Sequence, residues 1–354
     1  MLVDNTGGHA LVLPGGYVGA VLAGNAADTV FGAANSGQLI LSGAAGSELI
    51  FSAGTTNAVV AGGNNTIFDN GDNDNIVLDN GNNTIVETGK VNTDIVTGTG
   101  HNLVGANPSS SGAGGTVVVN SFGNDTVVAG AGSVTVDAGL AGSSASELVF
   151  DTGAKLTFVG GAGSATVLGG LGSEIVRGGS GSLTASGDIG GSDLLVGGTG
   201  ATTLFGAGNG DVLVAGTGTN ILVAGAGNET LAGAFTGYAV SGNNSYFTGT
   251  GTDSITTGNG NESVYAGSGN ATVNLGTGAD LIGIWHGIRS GGTAVINGFN
   301  VGQDRINLAF YGANEASNAL AGAQISSGSE VLTLSDGTKL TFAGVTNLSS
   351  TNFV

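Results

Sequence analysis

The feature that most constrains this chain is a nine-residue beat. Gly249-Thr-Gly251-Thr-Asp253-Ser-Ile255 is followed in register by Gly258-Asn-Gly260-Asn-Glu262-Ser-Val264, Gly267-Ser-Gly269-Asn-Ala271-Thr-Val273 and Gly276-Thr-Gly278-Ala-Asp280-Leu-Ile282. The unit reads glycine, any, glycine, any, acid, any, aliphatic, any, any. Its aliphatic position runs back through Leu231, Leu222, Leu213, Leu204 and Leu195, then Val176, Val167, Phe158 and Val149, then Val136, Val127 and Val118. The beat persists with fewer glycines through Val96, Ile85, Ile76, Ile67, Val59, Ile50, Ile40 and Val30, with slips such as those near Ala185 and Tyr246. A fixed short period is the signature of a repeat architecture in which one unit cannot bury its apolar face alone. Each unit predicts a tight turn and a three-residue strand, with glycines supplying the positive φ of the turn. Two units make a coil of eighteen, and stacked coils bury a column of aliphatics. The expected fold is all-β, a parallel β-solenoid (β-roll) of about fourteen coils, roughly 65–70 Å long at ~4.8 Å per strand spacing, with a C-terminal β cap.

Composition removes the other readings of a glycine-rich chain. Glycine fills 72 of 354 positions with only two prolines, so collagen, which needs glycine every third residue and abundant proline, is excluded. Hydrophobic residues make up 40%, enough for a core and too many for a disordered linker. The formal charge is −19, and no lysine or arginine precedes Lys90. Such a surface repels phosphate backbones, which argues against nucleic acid as a partner. No cysteine is present, so disulfides and thiolate metal sites are excluded. The apolar stretch Leu11–Ala23 is broken by Pro14 and glycines and lacks a basic leader; it reads as first strands of the solenoid, not a signal peptide or membrane span.

These repeats resemble the calcium-binding nonapeptides of the repeats-in-toxin (RTX) family, whose consensus is G-G-x-G-x-D-x-U-x. The resemblance implies Ca²⁺ held in the turns by aspartates of successive coils and backbone carbonyls. This chain departs from the pattern. Where the acid position holds Asp28, Asp74, Asp94, Asp125, Asp193, Asp211, Asp253 or Asp280, the full glycine triplet is missing. Where the triplet survives, that position holds Ala165, Glu174, Leu183 or Thr202, and elsewhere it holds Asn57, Asn65, Asn83, Asn220 or Asn244. Asparagines in register form amide ladders without metal. A few calcium sites are therefore expected, not one per turn. Positions eighteen apart share a side of the coil, which groups Asp193, Asp211 and Glu229, and separately Glu262 with Asp280. Asp253 faces Ala271 in this register and is a weaker candidate, as is the crowded run of Asp69, Asp72, Asp74 and Asp79.

The chain divides into degenerate repeats over 1–104, a loop over 105–115 containing Pro108, the glycine-rich β-roll over 116–282 and a C-terminal region over 283–354. Gly298-Phe299-Asn-Val-Gly302-Gln-Asp304 resembles segments that end such arrays, and Ser329–Val354 is similar to uncleaved signals for type I secretion machinery. The expected location is extracellular or at the cell surface. His9, His101 and His286 are too scattered for a zinc motif, and the glycine turns recur without the helix a phosphate cradle needs. Trp285, His286 and Arg289 read as a junction between roll and cap. No catalytic constellation stands out, so the chain is expected not to be an enzyme. The expected role is a secreted structural protein that self-assembles head to tail into a homo-oligomeric filament, biofilm matrix or surface layer. The alternatives are a monomeric calcium-responsive adhesin and the secretion module of an enzyme; repeats beginning near residue 24 leave no catalytic domain before them.

Overall fold

A computed structural model describes the chain apart from residues 16–17, 25, 34–36, 43–45, 61–62, 90–91, 108–114, 154, 236–237, 240–241 and 287–290. The chain forms two compact units, Met1–Gly181 and Ser182–Val354, and each is a parallel β-solenoid. Leu195, Leu213 and Leu231 stack in one sheet while Leu204 and Leu222 stack in the opposite one. Nine residues are thus half a coil, and eighteen return the chain to the same sheet. All five leucines are fully buried, as are Val149, Phe158, Val167 and Val176 in the first unit. The aliphatic column is the core of each unit.

In Met1–Gly181 the coils begin with Leu2–Asp4 on one face and Ala10–Val12 on the other, which pair in parallel with Gly19–Leu22 and Thr29–Phe31. The apolar N-terminal stretch therefore contributes residues to the solenoid strands Ala10–Val12 and Gly19–Leu22. One segment departs from the nine-residue beat. Ile95, not Val96, enters the core, and Val117 and Val119 enter it where the beat selects Val118. Strand alternation makes a one-residue slip reverse every side chain. Turning Ile95 inward carries Thr93 into the core and leaves Asp94 in water, whereas the opposite register buries a charge. Two adjacent aliphatics left the choice open in the sequence. The expected loop over 105–115 lies largely outside the described residues, and its first two residues end the strand Leu103–Ala106.

Ser182–Val354 opens on strands such as Leu183–Ser186 and Leu194–Val196. One coil is enlarged by an antiparallel pair, Ala234–Phe235 with Tyr238–Ala239, so its register advances 24 residues, from Thr230 to Ser254. The strand Leu281–Trp285 crosses position 282, and parallel pairing continues through Thr293–Asn297 and Arg305–Ala309. The cap follows. Lys339–Phe342 adds in parallel to Thr293–Asn297, and Ser329–Thr333 then Gln324–Ser326 continue antiparallel. A short helix, Glu315–Ala321, lies in the same segment. Among the described residues no helix is long and apolar enough to cross a membrane.

The glycines serve close approach more than turn conformation. Of Gly249, Gly251, Gly260, Gly267, Gly269, Gly276 and Gly278, only Gly278 has a positive φ, 147°. A Cβ on Gly251 would sit 1.6 Å from the carbonyl oxygen of Gly227 in the adjacent coil, and one on Gly276 1.7 Å from that of Gly258. Stacked turns touch backbone to backbone, so both glycines of the unit are a spacing requirement.

Candidate metal centre

The acid position of each repeat is the corner where a turn enters a strand, and its side chain points into the coil. At many corners it does one recurring job: its oxygen accepts the backbone N–H of the corner residue one coil earlier. In the first unit this produces an unbroken column. Asp28 accepts from His9, Glu48 from Asp28, Asn65 from Glu48, Asn83 from Asn65, Asn102 from Asn83 and Asp125 from Asn102, at 2.7–3.1 Å. The three asparagines also donate onward: Asn65 Nδ2 to Asn83, Asn83 Nδ2 to Asn102 and Asn102 Nδ2 to Asp125, at 2.7–2.9 Å. This is the amide ladder expected of in-register asparagines, and it includes Asn102, which the nine-residue beat passed over. The side chain of Asn57 lies outside the described residues.

In the second unit the corner side chains are mostly carboxylates. Asp193, Asp211, Glu229 and Asp253 form one column, since their strands pair in register. Asp211 accepts the N–H of Asp193 at 3.0 Å, and Asp253 accepts that of Glu229 at 3.1 Å. The enlarged coil brings Asp253 onto Glu229, a contact that an eighteen-residue spacing misses; on its other side Asp253 does face Ala271. The opposite corner holds Asn220, Asn244, Glu262, Asp280 and Asp304. Asp280 accepts from Glu262 and Asp304 from Asp280, both at 2.9 Å. Asp304 is the member that sequence reasoning missed, because it lies 24 residues from Asp280. All seven carboxylates are buried.

The contrast between amide and carboxylate decides what these corners can bind. Asn220 offers its Oδ1 to the N–H of Gly216 and gives its Nδ2 to the carbonyls of Gly216 and Gly218, at 2.8–3.1 Å. A carboxylate in such a corner has no hydrogen to give. Glu229 Oε2, Glu262 Oε2 and Asp280 Oδ2 are buried with no hydrogen-bond donor among the described residues. Burial pushes the Glu229 carboxyl up to about 8, aided by Asp253 and Asp211 beside it. Glu262 is likewise raised to about 8 by burial and by Asp280, and burial raises Asp304. Buried like charges without a cation hold a proton or take a metal. An all-oxygen donor set suits a hard cation such as Ca²⁺, so Asp193/Asp211/Glu229/Asp253 and Glu262/Asp280/Asp304 fit one. The corners filled by Ala165, Leu183 and Thr202 do not.

The aspartate-crowded run sorts differently. Asp69 and Asp74 are buried, Asp72 is half-buried and Asp79 is exposed. The partner that sequence reasoning missed is Glu87, aligned with Asp69 in the neighbouring strand. Burial and then Asp69 push its carboxyl up to about 9. Trp285 packs against Tyr265, which stacks on Phe247 at 4.8 Å, and His286 meets the ring of Tyr311 edge-on. Arg289 lies outside the described residues.

A two-sheeted coil with nine-residue half-turns and acid corners defines a nonapeptide-repeat β-roll. The family model for the RTX calcium-binding nonapeptide repeat (4 copies) matches residues 52–85, 120–140, 157–182, 189–222, 205–235 and 238–273. RTX calcium-binding nonapeptide repeats are therefore present in several copies across residues 52–273. The matches include Asp193, Asp211, Glu229, Asp253 and Glu262 but stop short of Asp280 and Asp304. A search of curated proteins finds no match.

Proposed function

We propose that this chain is a secreted, non-catalytic structural protein whose β-roll is stabilised by a few calcium ions and whose copies associate end to end. The observation that carries the calcium part is the pair of buried carboxylate columns in which Glu229 Oε2, Glu262 Oε2 and Asp280 Oδ2 accept no hydrogen bond among the described residues, in a chain with RTX repeats. Calcium there would supply the positive charge that Asn220 supplies through its amide hydrogens. Asp193, Asp211, Glu229 and Asp253 would share one group of sites, and Glu262, Asp280 and Asp304 the other. Export by type I secretion machinery through residues 283–354 belongs to the same proposal. RTX repeats are typical of secreted proteins, which supports it.

Association is supported by the first coil. Leu2–Asp4 and Ala10–Val12 each pair on one side only among the described strands, with Val3 and Val12 exposed. An open strand edge invites a further strand, and a contact that does not close on itself grows a filament. A monomeric calcium-responsive adhesin is the competing reading.

One paired measurement tests the whole: thermal unfolding and light scattering of the purified protein, in calcium and in chelator. Calcium is expected to raise the melting temperature and to bind in small number. Chelator is expected to leave much of the β signal, because the asparagine ladder needs no metal. Scattering is expected to grow with protein concentration. Complete unfolding in chelator would restore calcium to every turn, and a concentration-independent monomer would leave the adhesin reading ahead.

A further inference from the structure

The first two coils bring Asp28 together with Asp4 and His9, which are near neighbours in sequence. Asp4 ends the strand Leu2–Asp4, His9 lies in the turn before Ala10–Val12, and Asp28 is the corner residue of the next coil. One ligand atom from each lies within 4.8 Å of the other two. His9 Nδ1 is 2.6 Å from Asp4 Oδ2. The other oxygen of Asp4 is fixed by the backbone N–H groups of Thr6 and Gly7 and by the Thr6 hydroxyl, at 2.9–3.1 Å. Asp28 is fixed beneath the turn because its Oδ1 accepts the His9 N–H at 2.9 Å.

The independent observation is Asp28 Oδ2. Asp28 is 2% exposed, and this oxygen is buried with no hydrogen-bond partner among the described residues. Glu48 places another carboxylate against it, accepting the Asp28 N–H at 2.7 Å. Two buried acids thus meet one imidazole, with a third acid, Glu48, behind Asp28, in a chain whose first lysine is Lys90. Leaving a buried carboxylate oxygen unmatched is costly. His9 itself is 55% exposed, so the group is open on one side to an entering ion and its water ligands.

The donor set separates this group from the corner columns. Those offer oxygen only and suit a hard cation. One imidazole nitrogen with two carboxylates suits a borderline divalent transition ion of the Zn²⁺ class, with water in the remaining positions. We propose that Asp4, His9 and Asp28 bind such an ion, with ligation through His9 Nδ1 taking the place of the Asp4–His9 hydrogen bond. The ion would tie the end of the first strand to the second coil and pin that part of the solenoid.

The test uses the full chain in saturating calcium, so that it is independent of the calcium sites. Zn²⁺ is titrated by calorimetry, and Co²⁺ by its visible absorption, which reports nitrogen and oxygen ligation directly. One ion per chain is expected. Exposed His9→Ala is expected to weaken binding by more than about tenfold, the loss that even an outer-shell partner costs. His101→Ala, another exposed histidine, serves as the control and is expected to bind as the parent does. Asp28→Asn, which keeps the acceptor for the His9 N–H, is expected to weaken binding without changing the calcium response. No stoichiometric ion in the parent, or binding undiminished in His9→Ala, overturns the proposal.

Discussion

The corner column from His9 to Asp125 and the columns from Asp193 to Asp253 and Glu262 to Asp304 have the same backbone geometry and different chemistry. In both, an oxygen accepts the N–H of the preceding corner, at 2.7–3.1 Å in the first column and 2.9–3.1 Å in the others. The first column contains three amides that also donate, so Asn65, Asn83 and Asn102 satisfy one another. The others contain runs of carboxylates that only accept. The turn therefore dictates an acceptor at the corner and leaves the second function open. A hydrogen from an amide, a proton shared between acids, or a cation can fill it. That is why one chain combines metal-independent stretches with stretches suited to calcium.

What the two regions share is the aliphatic column, and breaking it is the largest expected effect. Leu213→Asp in the second unit and Ile85→Asp in the first each place an unpaired charge at a fully buried position. Each is expected to cost several kcal/mol, irrespective of calcium. Circular dichroism melts check this: a variant that melts like the parent would show that its side chain does not face the core.

Acidity sharpens the comparison within the first unit, where two glutamates sit outside the amide ladder. Burial raises Glu147 to about 7, and Glu87 is raised to about 9. Both folded values lie above the ordinary 4.5, so the protonated form is the one the fold favours. Their stabilisation is complete below about pH 4.5 and is lost as pH rises through about 7 for Glu147 and about 9 for Glu87. At 1.36 kcal/mol per unit, Glu147 accounts for a loss on the order of 2–3 kcal/mol between pH 5 and 8. Glu147→Gln is expected to flatten that part of a chelator-treated pH–stability curve. A curve that rises with pH over this range would contradict the assignment.

The fold was legible because nine is half of eighteen: a regular aliphatic beat alternates between two sheets, and burial of Leu195 through Leu231 follows directly. Legibility failed where neighbouring residues were equally apolar. Neither Ile95 nor Val96 lies nine residues after Ile85, and the burial of Thr93 in place of Asp94 separates them. The columns were legible at constant spacing, as for Asp193, Asp211 and Glu229. They were lost where a coil is enlarged, since 24 residues separate Glu229 from Asp253 and Asp280 from Asp304. Glu87 escaped because it is at a strand end, where the repeat carries no acid. The group of Asp4, His9 and Asp28 has no linear spacing at all; only the closing of the coil assembles it. The role of the glycines was also misread from the repeat unit, because backbone crowding between coils is invisible within a single repeat.

Exchanging the two chemistries is the finest way to break the comparison. Asp280→Asn keeps the Oδ1 that accepts the Glu262 N–H at 2.9 Å, removes a charge beside Glu262, and adds hydrogens that a carboxyl can accept. Without calcium this variant is expected to be more stable than the parent by about 1 kcal/mol, the worth of a typical buried hydrogen bond. It is also expected to gain less from calcium, because one ligand of the Glu262/Asp280/Asp304 column is gone. Asn83→Asp is the reciprocal change. It keeps the acceptor for the Asn65 N–H but loses the Nδ2 donor to Asn102 at 2.9 Å, setting a carboxylate against an amide oxygen. In chelator it is expected to be destabilised by about 1–3 kcal/mol, the cost of an unmatched buried polar group. Calcium is expected to restore part of that loss if a carboxylate corner is what a cation requires. Melting curves of both variants, with and without calcium, give four differences against the parent. The account requires opposite signs in chelator for the two substitutions and opposite changes in the calcium increment. Two variants destabilised alike in chelator would mean that the corners differ in packing, and that exchanging donors for charge does not explain the two regions.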